Sequence, residues 1–220
     1  MAHFTHHSEE NYLKTLYKLN SRRLKKVNNV ALAKDLGLNP ASVLEMVRKL
    51  SVKRLVKVQQ DKTIHLTDAG QKKAILIIRK HRLWEVFLTE KLKYGWQEVH
   101  DLAEQLEHVE SDDMIDRLDA FLDYPALDPH GDPIPDKNGN IKSKSSIPLS
   151  TALPGKYYTV ISLADTSDEF LAYLSKLQIK PLTKLKMLEH NDYDQSSTII
   201  IKKKRIYLGE KAAKNILVQQ

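Results

Sequence analysis

The sequence contains no cysteine, and that one absence excludes disulfides, zinc ribbons, thiolate ligands and cysteine nucleophiles. Any metal would have to be held by His, Asp, Glu or amide oxygens, donors that suit hard or borderline cations. No apolar run reaches the ~18–20 residues that span a bilayer, and the opening MAHFTHHSEE has no signal-peptide core. A soluble, cytoplasmic protein without a membrane partner is expected. Catalytic signatures are missing too: there is no HExxH, no Glu-x-x-His, no P-loop and no nucleophile elbow. These absences argue against a zincin protease, a ferritin-type di-metal bundle and an enzyme with a small-molecule substrate.

What is present is a chain of 220 residues, 41% hydrophobic, long enough for two or three small domains with real cores. Its net charge of +7 is unevenly placed. Residues 1–66 hold thirteen Lys or Arg against five Asp or Glu, an excess of eight that leaves the remainder close to neutral. A basic N-terminal third fits a nucleic-acid-binding head, although the excess alone fits a generic anion-binding surface as well.

The segment SEENYLKTLYKL places Tyr12, Leu13, Leu16, Tyr17 and Leu19 on one helical stripe, with Ser8 as its N-cap. VALAKDLGL predicts a short helix ending at Gly37, and Asn39 followed by Pro40 predicts the start of another. Helix, glycine-containing turn, helix is the helix-turn-helix pattern, with Val43, Met46, Val47 and Leu50 facing inward. LVKVQQDKTIHLT alternates apolar and polar residues around Gln60, Asp61 and Lys62, as a β-hairpin wing would. A long helix from Thr67 to about Lys91 follows, then helices over Val99–Val109 and after Ser111. Proline and glycine between Tyr124 and Pro148 predict an ordered loop and linker. Beyond Gly155 short β-rich runs, with one helix near Asp168–Leu177, suggest a small barrel. The fold class expected is mainly α with α+β parts: a winged helix-turn-helix domain over 1–67, a helical domain over 68–140 that offers a dimer interface and candidate metal ligands, a linker over 141–154 and a small β-barrel domain over 155–220.

The residues able to do chemistry cluster on two helices. His100, Glu104, Glu107 and His108 stand one to four residues apart on adjoining faces of the helix from Val99, and His81 and Glu85 lie one turn apart on the preceding helix. Two readings stand: ligands for a divalent cation, or solvated ion pairs on an exposed face. On the head, Ala41, Ser42, Glu45 and Arg48 are the exposed positions of the second helix, suited to base edges or phosphates. Lys53, Arg54, Lys57 and Lys62 suit phosphates. Glu45 either accepts from a cytosine amino group or pairs with Lys49. Lys202–Arg205 reads as a lysine-guarded edge strand, and His3, His6 and His7 as a terminus without a dedicated role.

Taken together, SEENYLKTLYKL, LGLNPASVLEMVRKL, HRLWEVFL, VHDLAEQLEHVESDDMIDRL and PALDPHGDPIP, in this order, resemble the diphtheria toxin repressor family. Its members are iron- and manganese-dependent repressors with a winged-helix domain, a dimerisation domain and often a C-terminal SH3-like, FeoA-like domain. The resemblance implies a primary metal site on Asn11, Glu104, Glu107 and His108, and a second on His81, Glu85 and His100 completed by Asp165, with Glu169 as the other candidate. It further implies a homodimer on double-stranded, palindromic DNA. Glu104 stands where iron sensors carry cysteine, so Mn(II) is expected ahead of Fe(II). Asn11 stands where relatives have Asp or Met and can ligate only through a neutral oxygen. Lys14 stands where two-domain manganese regulators place an acid. An ammonium there repels a second nearby cation, so two separated sites are expected. The competing expectations are a metal-independent winged-helix regulator and, remotely, a metal-dependent hydrolase.

Overall fold

The first helix, α1 (Ala2–Ser21), begins six residues ahead of the serine expected to cap it, so Ser8 lies inside the helix. Nothing in AHFTHH breaks a helix, and the chain continues the α conformation past the polar residue that resembled a cap. The computed structural model describes residues 2–21, 26–142 and 145–220, apart from the side chains of 2–8 and 21; those of His3, His6 and His7 lie outside the described residues.

Packing divides the chain into two compact units. One comprises Met1–His81, Leu106–Ser111 and Pro135–Asn140, the other Arg82–Gln105, Asp112–Ile134 and Ile141–Gln220.

In the first unit, α2 (Asn29–Leu36) is capped by Asn28, whose Oδ1 accepts from Ala31 N, and is closed by Gly37 in the left-handed conformation at φ 65°. α3 (Pro40–Val52) starts two residues later, with Asn39 Oδ1 accepting from Ala41 N and Pro40 in the first turn. Val43, Met46, Val47 and Leu50 are buried as their spacing requires. They join Leu13, Leu16, Leu32, Val56 and Ile64 in one core, in which each fully buried Leu or Ile contributes about 1.5–3 kcal/mol. The wing is an antiparallel pair, β1 (Val56–Val58) with β2 (Ile64–Leu66). Its turn is fastened by Asp61, which accepts from Thr63 N at 3.1 Å and pairs with Lys26 at 3.0 Å. α4 (Asp68–Glu90) follows at once, and Gly70 is required at the junction: a Cβ there would lie 1.9 Å from the carbonyl oxygen of Leu55.

In the second unit, α4 contributes Leu83 and Val86 to a small core shared with Ile115, Leu118 and Leu122 of and just after α6 (Asp112–Phe121). α5 (Val99–Leu106) ends three residues before the expected Val109, because Val109 N turns back to Leu106 O and leaves Glu107 and His108 on a turn. The C-terminal part is a six-stranded antiparallel sheet. Its strands are β3 (Ile147–Pro148), β4 (Tyr157–Leu163), β5 (Lys184–His190), β6 (Ser197–Ile201), β7 (Lys204–Leu208) and β8 (Ile216–Gln219), in the order β3-β8-β4-β5-β6-β7. Register shifts at Val160/Ser162 and Met187/Glu189 bend the sheet around a core of Val160, Leu171, Leu174, Met187, Ile199 and Val218. Leu171 and Leu174 come from α7 (Asp168–Lys176), the helix read from sequence. A six-residue helix, α8 (Glu210–Asn215), was not expected. Of the basic run, Lys202 and Lys203 form the β6–β7 turn with positive φ, while Lys204 and Arg205 open the edge strand β7.

Candidate metal centre

One face of α1 buries Tyr12, Leu13, Leu16 and Leu19 in the core, but Glu9, Glu10, Lys14 and Thr15 are buried as well. Such burial is costly unless every charge is met. The structure meets it by folding the turn after α5 against this helix. Glu107, with no exposed surface, accepts from Lys14 Nζ on Oε1 at 2.6 Å and pairs with His81 Nδ1 on Oε2 at 2.6 Å. His108 Nδ1 lies 2.7 Å from Glu10 Oε2, and its Nε2 lies 3.9 Å from Glu107 Oε1. Glu9 accepts from Lys53 Nζ at 2.8 Å, and Lys80 Nζ donates to Val109 O at 2.9 Å, closing the turn from the other side.

Asn11 lies on the same turn of α1 as Glu10 and Lys14, and its Oδ1 is buried without a hydrogen-bond partner. A neutral acceptor left in that condition costs about 1–3 kcal/mol, so the position is explained by a ligand better than by the fold. The donor set fits a divalent cation: an amide oxygen, a carboxylate and an imidazole, with no thiolate to favour a soft ion. A neutral His108 that gives its Nδ1–H to Glu10 carries its lone pair on Nε2, the carboxylate–histidine arrangement found behind metal-bound imidazoles. Glu10 was not among the residues singled out in the sequence, since only the fold brings it to a histidine 98 residues away.

The second unit holds another buried group. Glu85, Asp128 and His130 offer ligand atoms within 4.8 Å of one another, and all three are buried. His130 Nε2 donates to Trp96 O at 2.9 Å, which turns Nδ1 toward Glu85 Oε1, 3.6 Å away. Asp128 Oδ1 accepts from the backbone N–H groups of His130 and Asp132, and its Oδ2 lies 3.4 Å from Arg82 Nε. Burial opposes charge on His130, but the hydrogen bond and charge of Glu85, with Asp128, outweigh it and raise its pKa to about 9. Burial, and then the charges of Glu85 and Asp132, push the Asp128 carboxyl well above its usual range. His100 bridges Glu85 and Glu104, with Nδ1 3.5 Å from one and Nε2 3.6 Å from the other.

This loop is anchored on the C-terminal sheet. Gly131 has φ 88°, and a Cβ there would lie 1.9 Å from the carbonyl oxygen of Ile161 on β4. Trp96 stacks on His130 at 5.8 Å, packs against the sheet's core and donates its indole N–H to Ser175 on α7. Asp128 and His130 entered the sequence reading only as part of DPHGDPIP; a cluster of titratable groups within five residues was the available signal.

Thus the structure brings Glu107, His108 and α1 together in the first unit, along with His81, and Glu85, His100 and Glu104 together in the second. Glu107 and Glu85 are not solvated ion pairs, since both are buried, while Glu104 stays partly exposed beside His100. Asp165 accepts from Ser167 N in the turn before α7, and Glu169 is exposed on that helix's first turn. On the head, Ala41, Ser42, Glu45, Arg48, Lys53, Arg54, Lys57 and Lys62 are all exposed. Glu45 pairs with Lys49 at 3.0 Å, and Lys53 is drawn to Glu9.

Comparison with known proteins matches three families to successive parts of the chain. "Iron dependent repressor, N-terminal DNA binding domain" covers residues 4–64, "Iron dependent repressor, metal binding and dimerisation domain" covers 67–136, and "FeoA domain" covers 147–220. The iron-dependent repressor IdeR of Mycobacterium tuberculosis is 35% identical over 126 residues, 57% of this chain; the match spans about half of that relative's length, 54%. The diphtheria toxin repressor of Corynebacterium diphtheriae is 32% identical over 155 residues, covering 67% of this chain and 68% of its own. A solved manganese-dependent transcriptional repressor in complex with manganese superposes with a TM-score of 0.87 at 33% identity, over 96% of this chain and 98% of that one. The chain belongs to the iron-dependent repressor family, the family of the diphtheria toxin repressor.

Proposed function

We propose that this protein is a metal-activated DNA-binding transcriptional repressor of metal-ion homeostasis, acting as a homodimer on a palindromic operator, with Mn(II) as its preferred effector and Fe(II) next. The observation that carries the proposal is the buried, unpartnered Oδ1 of Asn11 on the helix turn whose neighbours hold Glu107 and His108. Asn11, Glu107 and His108 are the core of the primary ligand set, and Glu104, which lies beside His100, is the fourth donor that the family resemblance implies. His81, Glu85 and His100, completed by Asp165, form the second. A bound cation supplies positive charge that an amide oxygen, carboxylates and imidazoles satisfy together.

The chain's own residues convert that occupancy into affinity. α1 packs with α2 and the wing strand β2, so fixing Asn11 against the turn at Glu107–His108 fixes the helix-turn-helix with it. Two recognition helices must enter major grooves about 34 Å apart, one turn of B-DNA. A head held in one orientation docks both; a head that wanders docks one. Shifting such an equilibrium from about 1:99 to 99:1 takes roughly 5.5 kcal/mol of differential affinity. Two sites per subunit in a dimer divide that load. Arg54, Lys57 and Lys62 supply sequence-independent phosphate contacts, while Ala41, Ser42, Glu45 and Arg48 present the reading face. Preference for manganese rests on Glu104, a carboxylate among oxygen and nitrogen donors.

A metal-independent regulator is favoured by one observation, the two partners Glu107 already has in Lys14 and His81. Gel-shift binding to the protein's own promoter separates the readings. Binding that appears with Mn(II) and is lost on chelation is expected; binding indifferent to both eliminates metal sensing.

A further inference from the structure

The buried carboxylate of Glu107 is held by a cation from the protein itself. Lys14 is 4% exposed, Glu107 0%, and they meet at 2.6 Å. The oxygen they share, Oε1, is the one that faces His108 Nε2 at 3.9 Å, while Oε2 is held by His81. A divalent ion bound between Glu107 and His108 would therefore approach the oxygen on which the ammonium rests. Like charges at such range repel, twice as strongly for a divalent partner as for a monovalent one, and the burial of both groups weakens screening. The long, flexible stem of lysine allows the ammonium to withdraw, which a shorter or planar cation would do less easily.

We propose that Lys14 is a built-in competitor for the primary metal site: its ammonium neutralises Glu107 when cation is scarce and must be displaced when cation binds, so it sets the concentration at which the sensor responds. The inference rests on the metal-binding reading above. Two consequences of opposite sign follow. Removing the ammonium strips a buried carboxylate of one of its two partners and leaves His81 alone on it, which lowers the stability of the metal-free protein. It also leaves that carboxylate without a rival, which raises its affinity for a divalent ion. A lysine that merely shaped the site would lose both stability and affinity on replacement.

The test uses the full chain stripped by chelation and titrated with Mn(II) by calorimetry, in wild type, Lys14→Leu, Lys14→Gln, Lys14→Arg and His108→Ala, with melting temperatures of the chelated proteins. In the binding step that His108→Ala abolishes, Lys14→Leu is expected to bind at least tenfold more tightly than wild type. Lys14→Gln, neutral yet able to donate to Glu107 and so kinder to folding, should shift the same way. Lys14→Arg, which keeps the charge on a stiffer group, should bind no more tightly than wild type, and both neutral variants melt lower without metal. If His108→Ala binds like wild type, the metal-binding reading falls and the competitor falls with it. If that step is lost in His108→Ala while neither neutral variant binds more tightly, the competitor alone is overturned.

Discussion

The two buried charge clusters of this protein are built on different principles. In the first unit Glu107 and His108 are met by side chains of α1, Lys14 and Glu10, together with His81, and one acceptor, Asn11 Oδ1, is left over. In the second, His130 and Asp128 are met largely by backbone: the Trp96 carbonyl, and the N–H groups of His130 and Asp132, on a loop that Gly131 presses against β4. Side-chain partners can exchange for another cation at the cost of a rotamer change. Backbone partners cannot leave without unfolding the loop. The first cluster is thus suited to respond to a ligand, and the second to hold a framework in place.

Substitutions can break that comparison. The largest effect is expected for His130→Ala, which leaves Glu85 and Asp128 facing each other without the imidazolium between them. A loss of about 3–5 kcal/mol in chemical denaturation is expected, and a loss under about 1 kcal/mol would show the loop cluster to be expendable. Gly131→Ala tests the anchoring by shape alone. With its Cβ driven into the Ile161 carbonyl at positive φ, it should cost about 2–4 kcal/mol by the same measurement. Asn11→Ala has the opposite sign. Removing an acceptor that has no partner should leave the chelated protein as stable as wild type, or up to about 1 kcal/mol more stable, while Mn(II) affinity falls in calorimetry. A metal-free protein destabilised by this change would mean that the fold itself uses Oδ1.

Much of the framework was legible because its signals are local. Asn39 and Pro40 start α3, Gly37 ends α2, and the 3.6-residue spacing of Val43, Met46, Val47 and Leu50 marks the buried face. The misread cap at Ser8 was local too, but a capping residue inside a helix-compatible stretch carries no instruction to stop. The sites were legible only as candidates. Spacing placed Glu104, Glu107 and His108 within reach of one another on one helix and left open whether they bind a cation or face solvent, whereas Glu107 sits on a turn after that helix and is buried against α1. Lys14 read as a repelling charge, and the structure adds that it is a paired one. Contacts such as Glu10 with His108 and His130 with Glu85 join residues 98 and 45 positions apart, and no local pattern encodes them.

The smallest predicted effect concerns the wing. Hydrogen bonding from Thr63 and then from Lys26 lowers the Asp61 pKa to about 2. A carboxyl depressed in the fold stabilises it above its ordinary range near 3.8, and that contribution is lost as pH falls through about 2. An NMR titration of the Asp61 carboxyl should show this depression, and Lys26→Ala should shift its midpoint upward. An unshifted midpoint in wild type would mean that the turn is not fastened there.

The central claim is that one divalent ion joins Asn11 on α1 to the turn at Glu107 and His108. Anomalous scattering at the manganese edge, from crystals of the full chain grown with Mn(II), tests it most directly. The account predicts a peak bonded to Asn11 Oδ1, a Glu107 oxygen and His108 Nε2, with Lys14 withdrawn from Glu107. Manganese found elsewhere, with Lys14 still on Glu107 and Asn11 still without a partner, would contradict it.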